Sequence, residues 1–276
     1  MKKILAVLII HLWVFNLLAQ EDREKVFRDT RVVNGHSTEV LPKGMMKFII
    51  SHRFGAISSG VQQLWGLDNS TIRIGLDYAL TDNIDVGFGR SSLQKHYDFY
   101  LKYRILQQRK EGGSPVSLVY YTNAAVRTIQ TPQTEDLSLI DNLTYVHQLL
   151  LARKFNEFIS FQIMPTYVHR NYVLDLESNN DIYSLGTASR IQISKVLAFN
   201  LEYYFNLPDQ LASQYQSSAG LGIELETKGH IFQLNFTNSL GMIAPLYIAE
   251  TTGLIENGDI HFGFNITRDF KVGARK

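Results

Sequence analysis

From residue 46 almost to the end of the chain, apolar and polar positions alternate with a period of two. In TIRIGLDYAL, residues 71–80, Ile72, Ile74, Leu76, Tyr78 and Leu80 are apolar, while Arg73, Gly75 and Asp77 between them are charged or small. Successive side chains of a strand point to opposite faces, so each such segment has one oily and one polar face. The alternation predicts twelve strands, at 46–54, 71–80, 84–90, 96–105, 116–127, 143–155, 159–170, 182–194, 197–205, 219–226, 230–237 and 260–270. Two are less regular. The segment 143–155 holds the run LLLA, and 46–54 puts His52 on its apolar face, where an interface position or a bulge would account for it.

The connections carry a second pattern. Those at 81–83, 156–158, 194–196 and 227–229 are tight, whereas 55–70, 130–142, 173–181, 206–218 and 238–259 are long and polar. Short turns at one end and long loops at the other are the asymmetry of outer-membrane barrels. SSLQK at 91–95 is short where a long loop is expected, and QQRKEGGSP at 107–115 is long where a turn is expected.

The two faces decide between a membrane barrel and a soluble periplasmic β protein with its oily face inward. So many large apolar side chains overfill the interior of a closed barrel, though a two-sheet sandwich could hold them. The polar face carries Gly75, Gly87, Gly89, Gly186, Gly220, Gly222 and Gly263 in mid-strand, which suits a crowded interior better than open solvent. Tyr97, Tyr103, Tyr145, Tyr167, Tyr203 and Phe205 lie on the apolar side, where an aromatic girdle belongs. The expected fold is all-β, a closed antiparallel up-and-down transmembrane β-barrel of about twelve strands.

Composition narrows the setting. Residues 1–19 have the basic start, apolar core and small terminal residue of a signal peptide. Residues 20–43 read as a polar N-terminal periplasmic extension that could plug the lumen, and 44–276 as an outer-membrane barrel. After the leader no run of 18 apolar residues remains, so a membrane span has to be built from strands. A net charge of +1 gives no field that would attract nucleic acid. The chain has no cysteine, hence no disulfide, thiolate metal site or lipid-anchored terminus.

The stretches NGHSTEVLPKG and FIISHRFG, then GLDNSTIRIGLDYALTD, VGFGRSS and YDFYLKYRILQ, resemble a family of Gram-negative membrane-bound β-barrel proteins of unknown function. The resemblance is densest over residues 34–106. It implies an outer-membrane barrel and supplies no substrate or catalytic residue. Asn34, Gly35, His36, His52, Arg53, Asp68, Asn69, Gly89, Arg90 and Ser91 fall in the recurring stretches and are structural candidates.

With the oily face outward, the lumen is expected to hold Lys47, Arg53, Arg73, Lys102, Arg104, Arg127, Arg170 and Arg190 against Asp77, Asp85, Asp98, Glu202 and Glu224. Gln162, Asn235 and His261 add hydrogen-bonding groups. Two readings stay open. The charges brace the wall of a filled structural or partner-docking barrel, or their basic excess lines a narrow channel with a weak preference for small anionic solutes. Outer-membrane lipid and a small solute are the expected partners, with no cofactor and no enzymatic activity. His36–Ser37 and Ser51–His52 are adjacent pairs, but neighbours on a strand face opposite ways, so Ser51 and His52 cannot form a dyad. The seven histidines after the leader are scattered without metal-ligand spacing.

Overall fold

The computed structural model describes residues 23–173, 175, 177–227 and 230–272. The expected leader at 1–19 and the turn residues Lys228 and Gly229 lie outside them. Twelve strands follow in chain order: β1 (Met45–Ala56), β2 (Ser70–Thr81), β3 (Ile84–Ser91), β4 (Tyr97–Leu106), β5 (Ser117–Val126), β6 (Leu143–Lys154), β7 (Ile159–Arg170), β8 (Asp181–Gln192), β9 (Leu197–Asn206), β10 (Ser218–Thr227), β11 (His230–Thr237) and β12 (His261–Lys271). Each pairs antiparallel with the next, and β12 pairs with β1, so the barrel is closed. Closure pairs the strand edges that would otherwise meet lipid. All twelve expected segments are strands, with ends that move by no more than two residues.

The oily face points outward. Ile72, Ile74, Leu76, Tyr78 and Leu80 are 37–48% exposed, while Arg73 and Asp77 between them are buried inside. Phe99 and Leu201 are likewise exposed, and Arg104 and Glu202 are buried, which overturns the soluble alternative. His52 keeps to the outer face without a phase shift. Its ring stacks on Phe264 at 5.1 Å and 4°, and the bulge falls beyond it, between Arg53 and Ala56. Histidine also joins the girdle on the other side of the barrel, where Tyr120, His147, Tyr167 and Tyr183 line up on β5 to β8 with centroids 5.4–6.1 Å apart.

The inner face is not uniformly polar. The charges gather on β1–β4 and β8–β10, whereas β5–β9 present Val119, Tyr121, Val146, Leu150, Met164, Val168, Ile182 and Tyr204 inward as a buried apolar cluster. LLLA is irregular for this reason: Leu149 is exposed on the outer face and Leu150 is fully buried inside. These inner side chains are dry because two segments fill the lumen. Residues 26–41, read as part of a periplasmic extension, run inside the barrel and are almost entirely buried. From the opposite end, the β11–β12 connection folds inward as one short helix, α1 (Ala244–Ala249), with every residue buried. That connection was expected to be polar, but its middle, MIAPLYIA, is apolar and packs on the inner apolar cluster.

The filling also accounts for the two connections of unexpected length. The β4–β5 connection, 107–116, receives the start of the inserted segment: Glu24 N donates to Gln108 O at 3.0 Å, and Lys154 reaches Glu24 at 2.5 Å. The short β3–β4 connection supports the long β5–β6 loop, through Ile129 N to Gln94 O at 3.3 Å and Thr128 Oγ1 to Lys95 O at 2.5 Å.

Candidate functional site

Within the inserted segment, residues 29–38 form a hairpin. Ser37 N donates to Thr30 O, Val32 N donates to Gly35 O, and Arg31 bridges to His36. Val33 and Asn34 make the tip, inside the Val32 N to Gly35 O bond. The tip closes on one carboxylate. Glu202 on β9 accepts Val33 N at 3.3 Å, Asn34 N at 3.1 Å and Gly35 N at 2.9 Å. Three successive backbone amides turned toward one point form an anion-binding concavity, filled here by the protein's own side chain. Only glycine fits at position 35, since a Cβ there would lie 2.4 Å from Tyr204 Oη and 3.0 Å from Glu202 Oε2. Opposite the tip, Gly220 and Gly222 leave space for Val33, whose methyls a Cβ at either glycine would crowd.

The wall holds the hairpin mainly by its backbone. Arg53 Nη2 donates to Asn34 Oδ1 at 3.0 Å, Asn265 Nδ2 to Val33 O at 3.0 Å, and Gln162 Nε2 to His36 O at 2.8 Å. Further along, Lys102 Nζ donates to Glu39 O, Arg104 Nη2 donates to Val40 O at 3.2 Å, and Asp85 Oδ2 accepts Leu41 N at 2.9 Å. At the short-turn end Lys47 bridges Asp29 at 2.5 Å and Asp269 at 2.9 Å. The His36 ring sits between Tyr100 at 4.5 Å and Tyr121 at 4.3 Å. Ser37 Oγ donates to Asp29 O, and Ser51 points inward while His52 points outward, so neither adjacent pair makes a serine–histidine dyad.

Among the described residues, two ion pairs within the wall have both partners buried or nearly so. Arg73 on β2 holds Asp98 on β4 in a bidentate grip, Nε–Oδ1 2.9 Å and Nη2–Oδ2 2.6 Å. Its guanidinium reaches over β3 because Gly89 leaves the space. Arg190 holds Glu224 Oε1 at 3.0 and 2.8 Å, and Asn200 and Gln233 donate to the other oxygen. Asp77 is buried opposite Gly87, next in register to Tyr100, and Asn235 is buried beside Gly222.

The remaining three expected lumen residues sit higher. Arg127, Arg170 and His261 lie at the long-loop rim: the two arginines line a cup above α1, and His261 Nδ1 contacts Phe54 O at 3.0 Å. Period-two reasoning missed Asp29, Arg31, Asn34, Glu39 and α1 as partners of the wall. The readable signal was the apolar run at 242–249.

These features define a transmembrane β-barrel whose lumen is filled from both ends. The chain belongs to the family described as "Membrane bound beta barrel domain (DUF5777)", whose model matches residues 27–270. Among solved structures it is similar to the NanC porin, with a TM-score of 0.53 at 10% identity over 82% of this chain and 100% of the porin. An outer-membrane channel from Pseudomonas putida F1 gives a TM-score of 0.49 at 14% identity, covering 84% and 98% of the two chains. An active-site mutant of outer-membrane phospholipase A from Escherichia coli gives 0.47 at 11% identity, covering 83% and 91%. No curated protein matches the chain. At such identity the likeness to the porin concerns the fold alone.

Proposed function

We propose that the protein is an outer-membrane channel held shut by its own N-terminal hairpin, with the short turns on the periplasmic side. The observation that carries this reading is the character of the plug's seat. Wall side chains grip the hairpin's backbone through hydrogen bonds that water can replace. Asn235, Asn200 Oδ1 and Gln162 Oε1 are buried polar atoms without a protein partner, as expected of a wall built to be wet. With the hairpin withdrawn, the basic residues named for the lumen and its rim outnumber the acidic ones, giving a modest preference for small anions. One observation favours the filled structural barrel instead: α1 and the inserted segment's Val26, Phe27, Val32, Val33 and Val40 share one buried apolar cluster with wall side chains that gain nothing from water.

Planar-bilayer recording separates the two. The full chain is expected to be silent or nearly so. A chain lacking residues 23–41, or lacking both these and 242–250, is expected to give stable conductance steps with mild anion selectivity. Both truncated chains remaining silent, while still showing barrel-type heat-modifiable migration, would end the channel reading in favour of the structural one.

A further inference from the structure

The cup at the long-loop end encloses about 290 Å³ and is walled by five connections. Its charged groups are arranged differently from those of the lumen. Arg73 and Arg190 sit on carboxylates, but the cup's arginines do not. Arg127 donates from Nε and Nη2 to Asn142 Oδ1 at 3.2 and 3.1 Å, and Arg170 donates from Nη2 to Asn179 O at 2.6 Å. Among the described residues neither forms an ion pair within 4.0 Å. Arg170 is only 4% exposed, and its Nε has no partner. Arg170 is a buried guanidinium with no carboxylate in direct contact, so it and the half-buried Arg127 are placed to receive one. Arg127 and Arg170 flank the start of β6 from the two neighbouring strands and both face inward, so their side chains converge on the same space.

The same cup holds carboxylates that make no direct ion pair with these arginines. Glu250, directly after α1, accepts Gln94 Nε2 at 3.1 Å through one oxygen and lies within electrostatic reach of Arg170. Asp141 is kept ionised by hydrogen bonds from the Ser138 hydroxyl and amide, which hold it below the usual carboxylate range. Asp175 accepts Ser178 N at 2.7 Å. His96 contributes no cation at neutral pH, because burial lowers its basicity. A simple anion would meet the guanidinium pair and three carboxylates together, and a simple cation would meet the arginines. A molecule with both charges satisfies both. Tyr172 and Tyr215 also line the cup and offer ring surface to an apolar substituent.

We propose that this cup binds a small zwitterion, an amino acid or short peptide, with its carboxylate on Arg127 and Arg170 and its ammonium toward Glu250. Charge-assisted, bidentate recognition by arginine fixes the carboxylate end. The helix beneath blocks passage, so binding belongs to the closed barrel and is independent of conduction.

Isothermal titration of the intact, refolded chain with L-leucine and alanyl-leucine tests this, with 4-methylpentanoate and 3-methylbutylamine as matched single-charge probes. Saturable binding of leucine or the dipeptide is expected, with each single-charge probe at least about tenfold weaker. Arg170→Gln and Glu250→Gln should each weaken binding about tenfold or more while strand content and heat-modifiable migration persist. Should Arg170→Gln fail to fold, the half-buried Arg127→Gln carries the same expectation. Arg153→Gln, on the opposite rim, should change nothing. Equal binding of the carboxylate-only probe, or no saturable binding of either zwitterion up to about 10 mM, would overturn the proposal. Because the measurement needs no open pore, binding retained by the intact chain while both truncated chains stay silent in the bilayer ends the channel reading alone.

Discussion

At the scale of single residues, the ionic pairs of the wall are the clearest structural commitments. Arg73 and Asp98 are both buried and meet through two short bonds. Removing one partner leaves the other charge uncompensated in a closed space. Asp98→Ala is therefore expected to destabilise the barrel by about 3–5 kcal/mol, read as a lowered urea midpoint in detergent. Glu202 is a different kind of residue, since its partners are amides of the hairpin rather than a cation. Glu202→Gln keeps the volume but removes the charge that three donors share. The absence of native cysteine makes the consequence easy to read. A Val33→Cys reporter should be protected from maleimide in the otherwise unchanged chain, and labelling should accelerate about tenfold or more in the Glu202→Gln background. Unchanged labelling would mean the carboxylate does not secure the tip.

At the scale of elements, the strands were legible, while of the fillings only the possibility of an N-terminal plug was. A strand in a barrel wall repeats one instruction every second residue, and hydrocarbon on one side enforces it, so Phe99, Leu201 and Phe264 all read correctly as outward. Phe99→Arg should accordingly weaken folding into vesicles by about 2–4 kcal/mol, measured by denaturant titration in lipid. The inner face obeys no such uniform rule. Leu150, Met164 and Val168 look like phase errors if the lumen is taken as wet, and become regular once α1 lies against them. The hairpin was hidden for a related reason. Val32 and Val33 join the inner apolar cluster, but the wall reads the rest of the tip largely through its backbone, so NGHS scans as a loop although it is buried. The ionic half of the wall was recoverable as a list of charges, but not as pairs, because Arg73 reaches across β3 and Lys47 finds its partners on the hairpin and on β12.

For the molecule as a whole, closure joins the first strand to the last, and the hairpin precedes the first strand in the chain. Its contacts fall on both sides of that junction. Asp29 takes Lys47 from β1 and Thr267 from β12, and Arg53 and Asn265 from the same two strands meet Val33 and Asn34. The segment that obstructs the finished lumen thus also spans the seam that must zip last. Because the hairpin precedes β1 and touches both β1 and β12, it is placed to align the last strand on the first as the barrel closes. A chain lacking residues 23–41 should reach the compact, heat-modifiable form more slowly in vesicles than the full chain does, even where its final yield is the same. The resting plug would then be, in origin, a clasp for manufacture, with any later opening a second use of a part already installed.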